Sequence, residues 1–322
     1  MKKKDFWVYE LKWLVRRGVK CICGKKIRTK KYAGRTVYSS EDGNKILYNM
    51  TLNSEVTFLA CRMGAEENSL VKEYIEKQFG FRREYSKLRR YKIANNAGFF
   101  SKYSDEVLDE DMNKLSLLLQ ESIAKADLIG VWYNPLEDYI INKNCNHDCK
   151  LSHREIFDFW NYDVPFTNAL KGKKVLVVHP FKETIEKQYR DKRKLLFENE
   201  NILPEFELYV VQATQTSGLE KYEDKTDWFT ELKNMYLKCL KYDFDIALIA
   251  CGAYGLPLAS MLKSRNKSVI HMGGVLQILF GIKGKRWDDH PSASKLYNEH
   301  WVRPKENERP ERANNIEGGC YW

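Results

Sequence analysis

The sequence predicts an α/β fold, a Rossmann-like parallel sheet flanked by helices, on three observations. From Lys171 onward, short apolar runs rich in β-branched residues alternate with amphipathic stretches of helical length. Two of those runs, DIALIACG and SVIHMGG, pass directly into glycines before the next helix. In the first half of the chain, VTFLA, CRMG and AEENSLVKEYIEKQF give the same order of strand, tight turn and helix. Strands separated by helices need crossover connections, which are right-handed and leave the strands parallel.

Taken in order, residues 1–53 read as an irregular N-terminal arm, basic and rich in turn signals, with one helix and a hairpin. Residues 54–170 form a first α/β part. Val56 to Ala60 is its strand and Gly64 the turn. The following helix opens on acidic residues, which complement its exposed N–H groups. Asp109 to Ala126 is a second helix, ADLIGVW the strand after it, and Phe157 to Tyr162 an aromatic cluster. Residues 171–290 form a Rossmann-like βαβ part. Its strands are KKVLVVHPF, FELYVVQA, DIALIACG and SVIHMGG. Its helices are ETIEKQYRDKRKLLFEN, TDWFTELKNMYLKCLKYD, GLPLASMLKSR and the short VLQILFGI. Residues 291–322 are a polar tail that Trp301, Tyr321 and Trp322 pack back on the body.

Composition narrows the function classes. Of the 322 residues, 43% are apolar and 30% charged, ordinary for a globular protein. No apolar run is long enough to span a bilayer, and the N-terminus lacks the apolar core of a signal peptide, so a cytoplasmic location is expected. The formal net charge of +10 favours an anionic partner. A phosphorylated small substrate fits. So does the inner face of a membrane, along which WLVRRGVK would lie. Cations and acids are interleaved and no nucleic-acid signature occurs, so nucleic acid is not expected. Eight cysteines are too few for a disulfide framework, and reduced thiols are expected. Cys145, His147, Asp148, Cys149 and His153 lack CxxC spacing, and Cys21 and Cys23 form only a CxC, so zinc is not expected. Neither GxSxG nor HExxH is present, against two hydrolase classes.

Four clusters carry chemistry. In CRMGAEEN, Arg62 offers a guanidinium fork for phosphate or carboxylate, Gly64 a tight turn, and Glu66 and Glu67 carboxylates for a cation or for general-base work. The same residues read equally as a salt-bridged helix start. His179, at the tip of VLVV, is a base, a phosphate contact, or a loop histidine bonded to backbone. Gly252, Tyr254 and Gly255 follow IALIAC, where a helix N-terminus accepts an anion. CGAYG is neither a dinucleotide fingerprint nor a P-loop, and a tight strand–helix junction is the other reading. In HMGGVLQILFGIKGKRW, Gly273 and Gly274 sit at a strand end, Gln277 suits a sugar or base, and Lys285, Arg286 and Trp287 suit a phosphorylated or saccharide ligand. The alternative there is a surface turn anchored by a buried indole.

With these motifs in hand, the chain resembles the bacterial glycosyltransferases of the GT-D fold class and their uncharacterised relatives in cell-surface polysaccharide gene clusters. The resemblance rests on CRMGAEEN, on IALIACGAYGLPLA, and on HMGGVLQILFGIKGKRW with the tail NNIEGGCYW, and it covers Val56 to Trp322. It implies a GT-D-like fold that moves a sugar from a nucleotide-sugar donor to a glycan or lipid-linked glycan acceptor. In that class a motif RxGDGE supplies an Asp-x-Glu pair for a divalent cation, Mn2+ or Mg2+, and the donor diphosphate. Arg62, Gly64 and Glu67 match it, Ala65 stands at the Asp and Glu66 at the second Gly. Alanine cannot ligate a metal, so Glu67 alone carries over as a metal residue. Glu66, Glu67 or His179 would serve as base. The alternative is a sugar- or nucleotide-binding assembly protein that retains the fold without catalysis.

Overall fold

The apolar runs assemble into one sheet whose order brings distant parts of the chain side by side. The computed structural model describes residues 3–23, 29–102, 104, 107–216, 226–311, 313–316 and 318–322; the Cys23 side chain of the CxC pair and Glu317 of the tail motif lie outside the described residues. In chain order the elements are α1 (Lys3–Cys23), β1 (Lys31–Tyr32), β2 (Arg35–Tyr38), α2 (Ser40–Leu52), β3 (Leu59–Cys61), α3 (Ala65–Gln78), α4 (Lys87–Asn95) and α5 (Asp109–Ile123). There follow β4 (Leu128–Val131), α6 (Glu137–Asn144), β5 (Lys150–His153), β6 (Lys174–His179), α7 (Lys182–Lys192), β7 (Glu207–Gln212) and α8 (Trp228–Cys239). The last are β8 (Ile246–Ile249), α9 (Gly255–Lys263), β9 (Ser268–His271) and the short α10 (Leu276–Leu279) and α11 (Lys285–Asp288).

The sheet order is β1-β2-β5-β4-β3-β9-β8-β6-β7. β1 and β2 form an antiparallel hairpin, and the other pairings are parallel, so the sheet is mixed only at that edge. β3 pairs with β4 on one side and β9 on the other, Ala60 lying opposite both Leu128 and Ile270. Residues 54–170 and 171–290 therefore build one continuous sheet. Helices cover both faces, which is why the inner strands are continuously apolar rather than alternating. Along β8, Ala247 and Ile249 enter one core with Leu70, Leu115 and Leu258, while Ile246 and Leu248 enter the other with Leu47, Phe166 and Phe280.

Among the described residues the N-terminal segment contains the helix and hairpin expected of it, but it is regular rather than an irregular arm and adds a second helix. It is a 21-residue helix, a hairpin and a 13-residue helix. β2 joins the main sheet, Val37 opposite Leu151 and Tyr38 opposite Ser152. These elements are stabilised by tertiary fit. The Ser39 side chain caps α2 by accepting from the Asp42 N–H. Gly43 lets α2 close on β5, since a Cβ there would stand 2.0 Å from Ser152 Oγ. Buried Asn44 donates to the Val164 carbonyl at 2.9 Å and accepts from the Phe166 N–H at 2.8 Å. Strand β5 and helices α4 and α6 also lie where the sequence showed no clear periodicity. Cys145 and Cys149 are buried core thiols, with His147 and Asp148 exposed beside them.

At its far end the tail lies on the body. Trp301 donates its indole N–H to the Leu196 carbonyl at 3.0 Å. Backbone bonds join Lys285 N to Trp322 O at 3.1 Å and Arg286 N to Cys320 O at 2.9 Å. Replacing Asn44 with Ala leaves the Val164 carbonyl and the Phe166 N–H without that partner. The urea midpoint is expected to fall by the equivalent of about 2–3 kcal/mol with unchanged slope. An unchanged midpoint would show that α2 does not fold with the body.

Candidate functional site

Parallel strands end on the same side of the sheet, and the order reverses around β3 and β9. Open α/β folds bind ligands at such a point. Here a cavity of about 490 Å³ lies against the C-terminal strand ends. Its walls carry Arg62, Gly64, Glu66 and Glu67 after β3, Trp132 after β4, Arg154 and Asp158 after β5, and His179 at the end of β6. Gly252 and Tyr254 follow β8, His271 ends β9, and Gly273 and Gly274 follow it. Arg286, Trp287, Tyr321 and Trp322 come from beyond.

Three arginines, Arg62, Arg154 and Arg286, share the cavity wall with three acids, Glu66, Glu67 and Asp158, of which Glu66 is drawn off by Arg89. The Arg62 guanidinium lies 4.8 Å from the centroid of the Trp132 ring, and the Arg154 guanidinium 4.7 Å from the same ring. One indole thus holds two guanidinium groups, using the negative face of its π system. Arg62 Nε donates to the Met272 carbonyl at 3.0 Å. Gly273 makes this placement possible: its φ is +65°, and a Cβ would stand 1.8 Å from an Arg62 guanidinium nitrogen. Arg286 stacks over Tyr321 at 4.7 Å and donates to its hydroxyl at 3.2 Å. Gly274 admits that pair, since a Cβ would meet the Tyr321 ring at 3.0 Å. Burial lowers the basicity of Arg62; Tyr321 and Glu67 favour its charge, and Arg286 and Arg154 oppose it. Among the described residues, buried Arg154 Nε and the Trp132 indole N–H have no hydrogen-bond partner, although Arg154 Nε lies 3.9 Å from Glu155 Oε1. An anion in the cavity would offset the repulsion on Arg62 and give Arg154 Nε an acceptor.

The Trp132 loop is held from behind. Tyr133 and Leu136 have φ of +59° and +58°, uncommon for residues with side chains. Glu137 secures the turn, its carboxylate accepting from the Trp132 N–H at 3.1 Å, the Asn134 N–H at 3.0 Å and the Tyr32 hydroxyl at 3.3 Å. Burial raises its pKa to about 7 against those hydrogen bonds.

The acidic residues are arranged differently from a metal cage. Glu66 is ion-paired with Arg89 of α4 and lies 3.7 Å from Lys92. Glu67 folds back over the start of α3, and Gly64 makes room for it: a Cβ there would lie 2.1 Å from its Oε2. Glu67 keeps part of its surface on the cavity, although it lies deep below the outer surface. That depth raises its pKa; its own backbone N–H and then Arg62 pull it down. Ala65 offers no donor, and among the described residues no three His, Cys, Asp or Glu groups are placed to hold a metal. An acid paired to Arg89 beside another facing Arg62 does not fit Mn2+ or Mg2+, which need converging oxygen ligands.

Two buried histidines present opposite faces. His179 Nδ1 accepts from the Phe181 N–H at 3.0 Å, so the proton of the neutral ring is on Nε2 and the ring is a donor. His271 Nδ1 faces the Arg62 carbonyl at 3.1 Å and must donate, which leaves Nε2 an acceptor against Gly255. Burial pushes both pKa values down to about 3. With its lone pair engaged, His179 is poorly set as a base.

Several glycines and polar residues singled out from sequence serve the protein's own packing. Gly252, at φ +57°, allows close approach of the Ala97 carbonyl, 2.7 Å from a Cβ built there. Gly255 clears the His271 ring. Tyr254 stacks on Trp228 at 4.4 Å. Gln277 lies outside the cavity wall, fully buried, its amide donating to the Ile282 and Tyr321 carbonyls at 3.3 and 3.4 Å. Lys285 is exposed and bonds to the Gly318 carbonyl at 3.1 Å, away from the cavity, whereas Trp287 packs edge-on against Trp160. Sequence reasoning missed Trp132, Arg154, Asp158, His271 and Tyr321 as site residues. A signal existed for Trp132 and His271, which stand at the ends of recognised strands.

Gly273→Ala places a methyl on the Arg62 guanidinium, and pyrophosphate binding measured by calorimetry is expected to weaken about tenfold or more. Unchanged affinity would remove Arg62 from the site. His179 takes up a proton near pH 6.5 when unfolded but only near pH 3 when folded. Between those values the unfolded chain binds more protons, so this group's stability contribution falls as pH falls. His179→Asn keeps an acceptor for Phe181 N–H and should flatten the acid limb of urea midpoint against pH. Glu137 gives the opposite slope between 4.5 and about 7, but it is common to both proteins and cancels in the difference. An identical acid limb would contradict the neutral, buried imidazole.

No family model and no curated protein matches the chain. Two solved structures match it distantly, each at 12% identity over 87% of this chain and 95% of theirs, with TM-scores of 0.43 and 0.44. The first is described in the words "The highly conserved domain of unknown function 1792 has a distinct glycosyltransferase fold"; the second is a selenomethionine-substituted structure of the same domain of unknown function. The α/β architecture and the site described above rest on this chain's own strands and side chains, independently of that likeness.

Proposed function

We propose that the cavity binds a nucleoside-diphosphate sugar and that the protein transfers the sugar to a glycan or lipid-linked glycan acceptor. The observation that supports this reading best is the stack of Arg62, Trp132 and Arg154, with Arg286 on the same cavity. Sugar transfer builds negative charge on a departing diphosphate, and fixed guanidinium forks in a recessed site stabilise that charge. Here the arginines supply the positive charge that a cation supplies elsewhere. The acceptor oxygen bonds to the anomeric carbon as the bond to the diphosphate oxygen breaks. Glu67, its pKa raised by burial, takes the hydroxyl proton. Protonated Nε2 of His179 donates to the leaving oxygens.

A second reading, binding without transfer, draws on Ala65 and on the engagement of Glu66 by Arg89, which leave the RxGDGE pattern incomplete. One experiment separates the two. Nucleotide sugars at a hundredfold excess over Kd should add about 2.7 kcal/mol of stability, read as a higher Tm. The shift should survive a chelator and disappear in Arg62→Ala. Glu67→Gln should keep the shift and lower donor turnover about a hundredfold. A flat response across nucleotide sugars, or a shift that needs Mn2+ or Mg2+, would overturn the proposal. A shift with no turnover in the unaltered protein would establish binding alone.

A further inference from the structure

We infer that helix α1 seats the protein on the surface of an anionic lipid bilayer, its apolar face lying in the boundary between headgroups and acyl chains. Trp7, Val8, Leu11, Leu14 and Val15 are between 49% and 62% exposed, although each is a large apolar residue. At about 100° per residue they occupy one arc of about 120° on the helix. Phe81 is 38% exposed and lies 5.3 Å from the Trp7 ring, extending the patch beyond the helix.

The opposite face is fixed to the body, so the patch has a defined direction. Phe6 is buried against Phe79 and Phe81, at 6.0 and 4.9 Å. Tyr9 meets Tyr139 at 5.5 Å. Arg16 pairs with Asp138 at 3.3 Å and lies over the Tyr32 ring, and Glu10 is 3.4 Å from Lys72. These contacts account for one side of the helix and leave the apolar arc to another phase.

Charge identifies that phase. The helix sequence carries six Lys and Arg against two acids, and one of the acids, Glu10, is among the groups turned to the body. Exposed Lys12 and Arg17 flank the arc on its two sides. An apolar stripe with an indole, edged by long cationic side chains that reach back to phosphate, is the composition of a helix lying in a membrane interface. A second copy would bring the same cations face to face, which disfavours self-association. No described helix is long and apolar enough to cross a membrane, which leaves α1 to lie along the surface. The patch is separate from the cavity, since none of the described α1 side chains lines it, and the inference stands independently of the cavity's ligand.

The test is co-sedimentation of the full chain with phosphatidylcholine vesicles, with and without phosphatidylglycerol, at low and high salt. Binding is expected with phosphatidylglycerol only and should weaken as salt rises. Leu11→Gln with Leu14→Gln, and separately Lys12→Glu with Arg17→Glu, should each weaken partition about tenfold or more. Leu11 and Leu14 are exposed, so the urea midpoint of the leucine variant should not move, and the cavity's pyrophosphate affinity should be unchanged in both variants. Failure to sediment with anionic vesicles, or equal binding by the leucine variant, overturns the inference. A concentration-dependent dimer that the leucine variant abolishes also overturns it, by assigning the face to a second copy.

Discussion

The junction between β3 and β9 is the constraint on which the site depends. Two residues beyond paired backbone lock it. Arg62 sends its side chain to the Met272 carbonyl and offers its own carbonyl to the His271 ring. His271 in turn occupies the space that Gly255 leaves at the start of α9, and Arg62 the space that Gly273 leaves after β9. Arginine, histidine and two glycines thus fix one another's positions. The guanidinium is recessed, aimed and only partly engaged, as a recognition group must be if little entropy is to be lost on binding.

The electrostatics follow from how the acids are distributed. Glu66 is drawn to Arg89, Glu67 lies back over its helix end, and Glu137 is used to hold the strained turn that presents Trp132. Arg62 keeps a common cavity with Arg154 and Arg286, which oppose its charge, and Asp158 stands on the same wall. Such an arrangement costs stability in the free protein and returns it when an anion enters, which ties affinity to charge rather than to a particular base or sugar. Selectivity for the rest of a ligand falls to the neutral and aromatic wall, including Tyr254, Trp287, Tyr321 and Trp322.

What could be read from the sequence follows from element length and composition. β6, β7, β8 and β9 come from runs dense in Val, Ile and Leu, buried on both faces, and such runs show themselves. β2 and β5 are RTVY and KLSH, which have little intrinsic signal and become strands because a neighbour's edge pairs with them. The same reason hid Arg154, which follows β5. From sequence, Gly64 is a tight turn and Gly252, Gly255 and Gly273 stand where strands end. What approaches Gly64, Gly252, Gly255 and Gly273 in this structure is the protein itself, as carboxylate, carbonyl, imidazole and guanidinium. A sequence shows that room has been left, and only the fold shows for whom.

The pairing of Leu59 with Val269 also has a consequence for how the chain reaches this structure. β3 lies mid-sheet, yet one of its neighbours, β9, is synthesised after every other described strand of the sheet. Until β9 arrives, β3 presents a bare apolar edge, the kind of surface that pairs with other chains. The connection is long-range in sequence, so its closure is slow compared with the helices around it. Correct assembly therefore depends on that edge being shielded while the remaining strands are made.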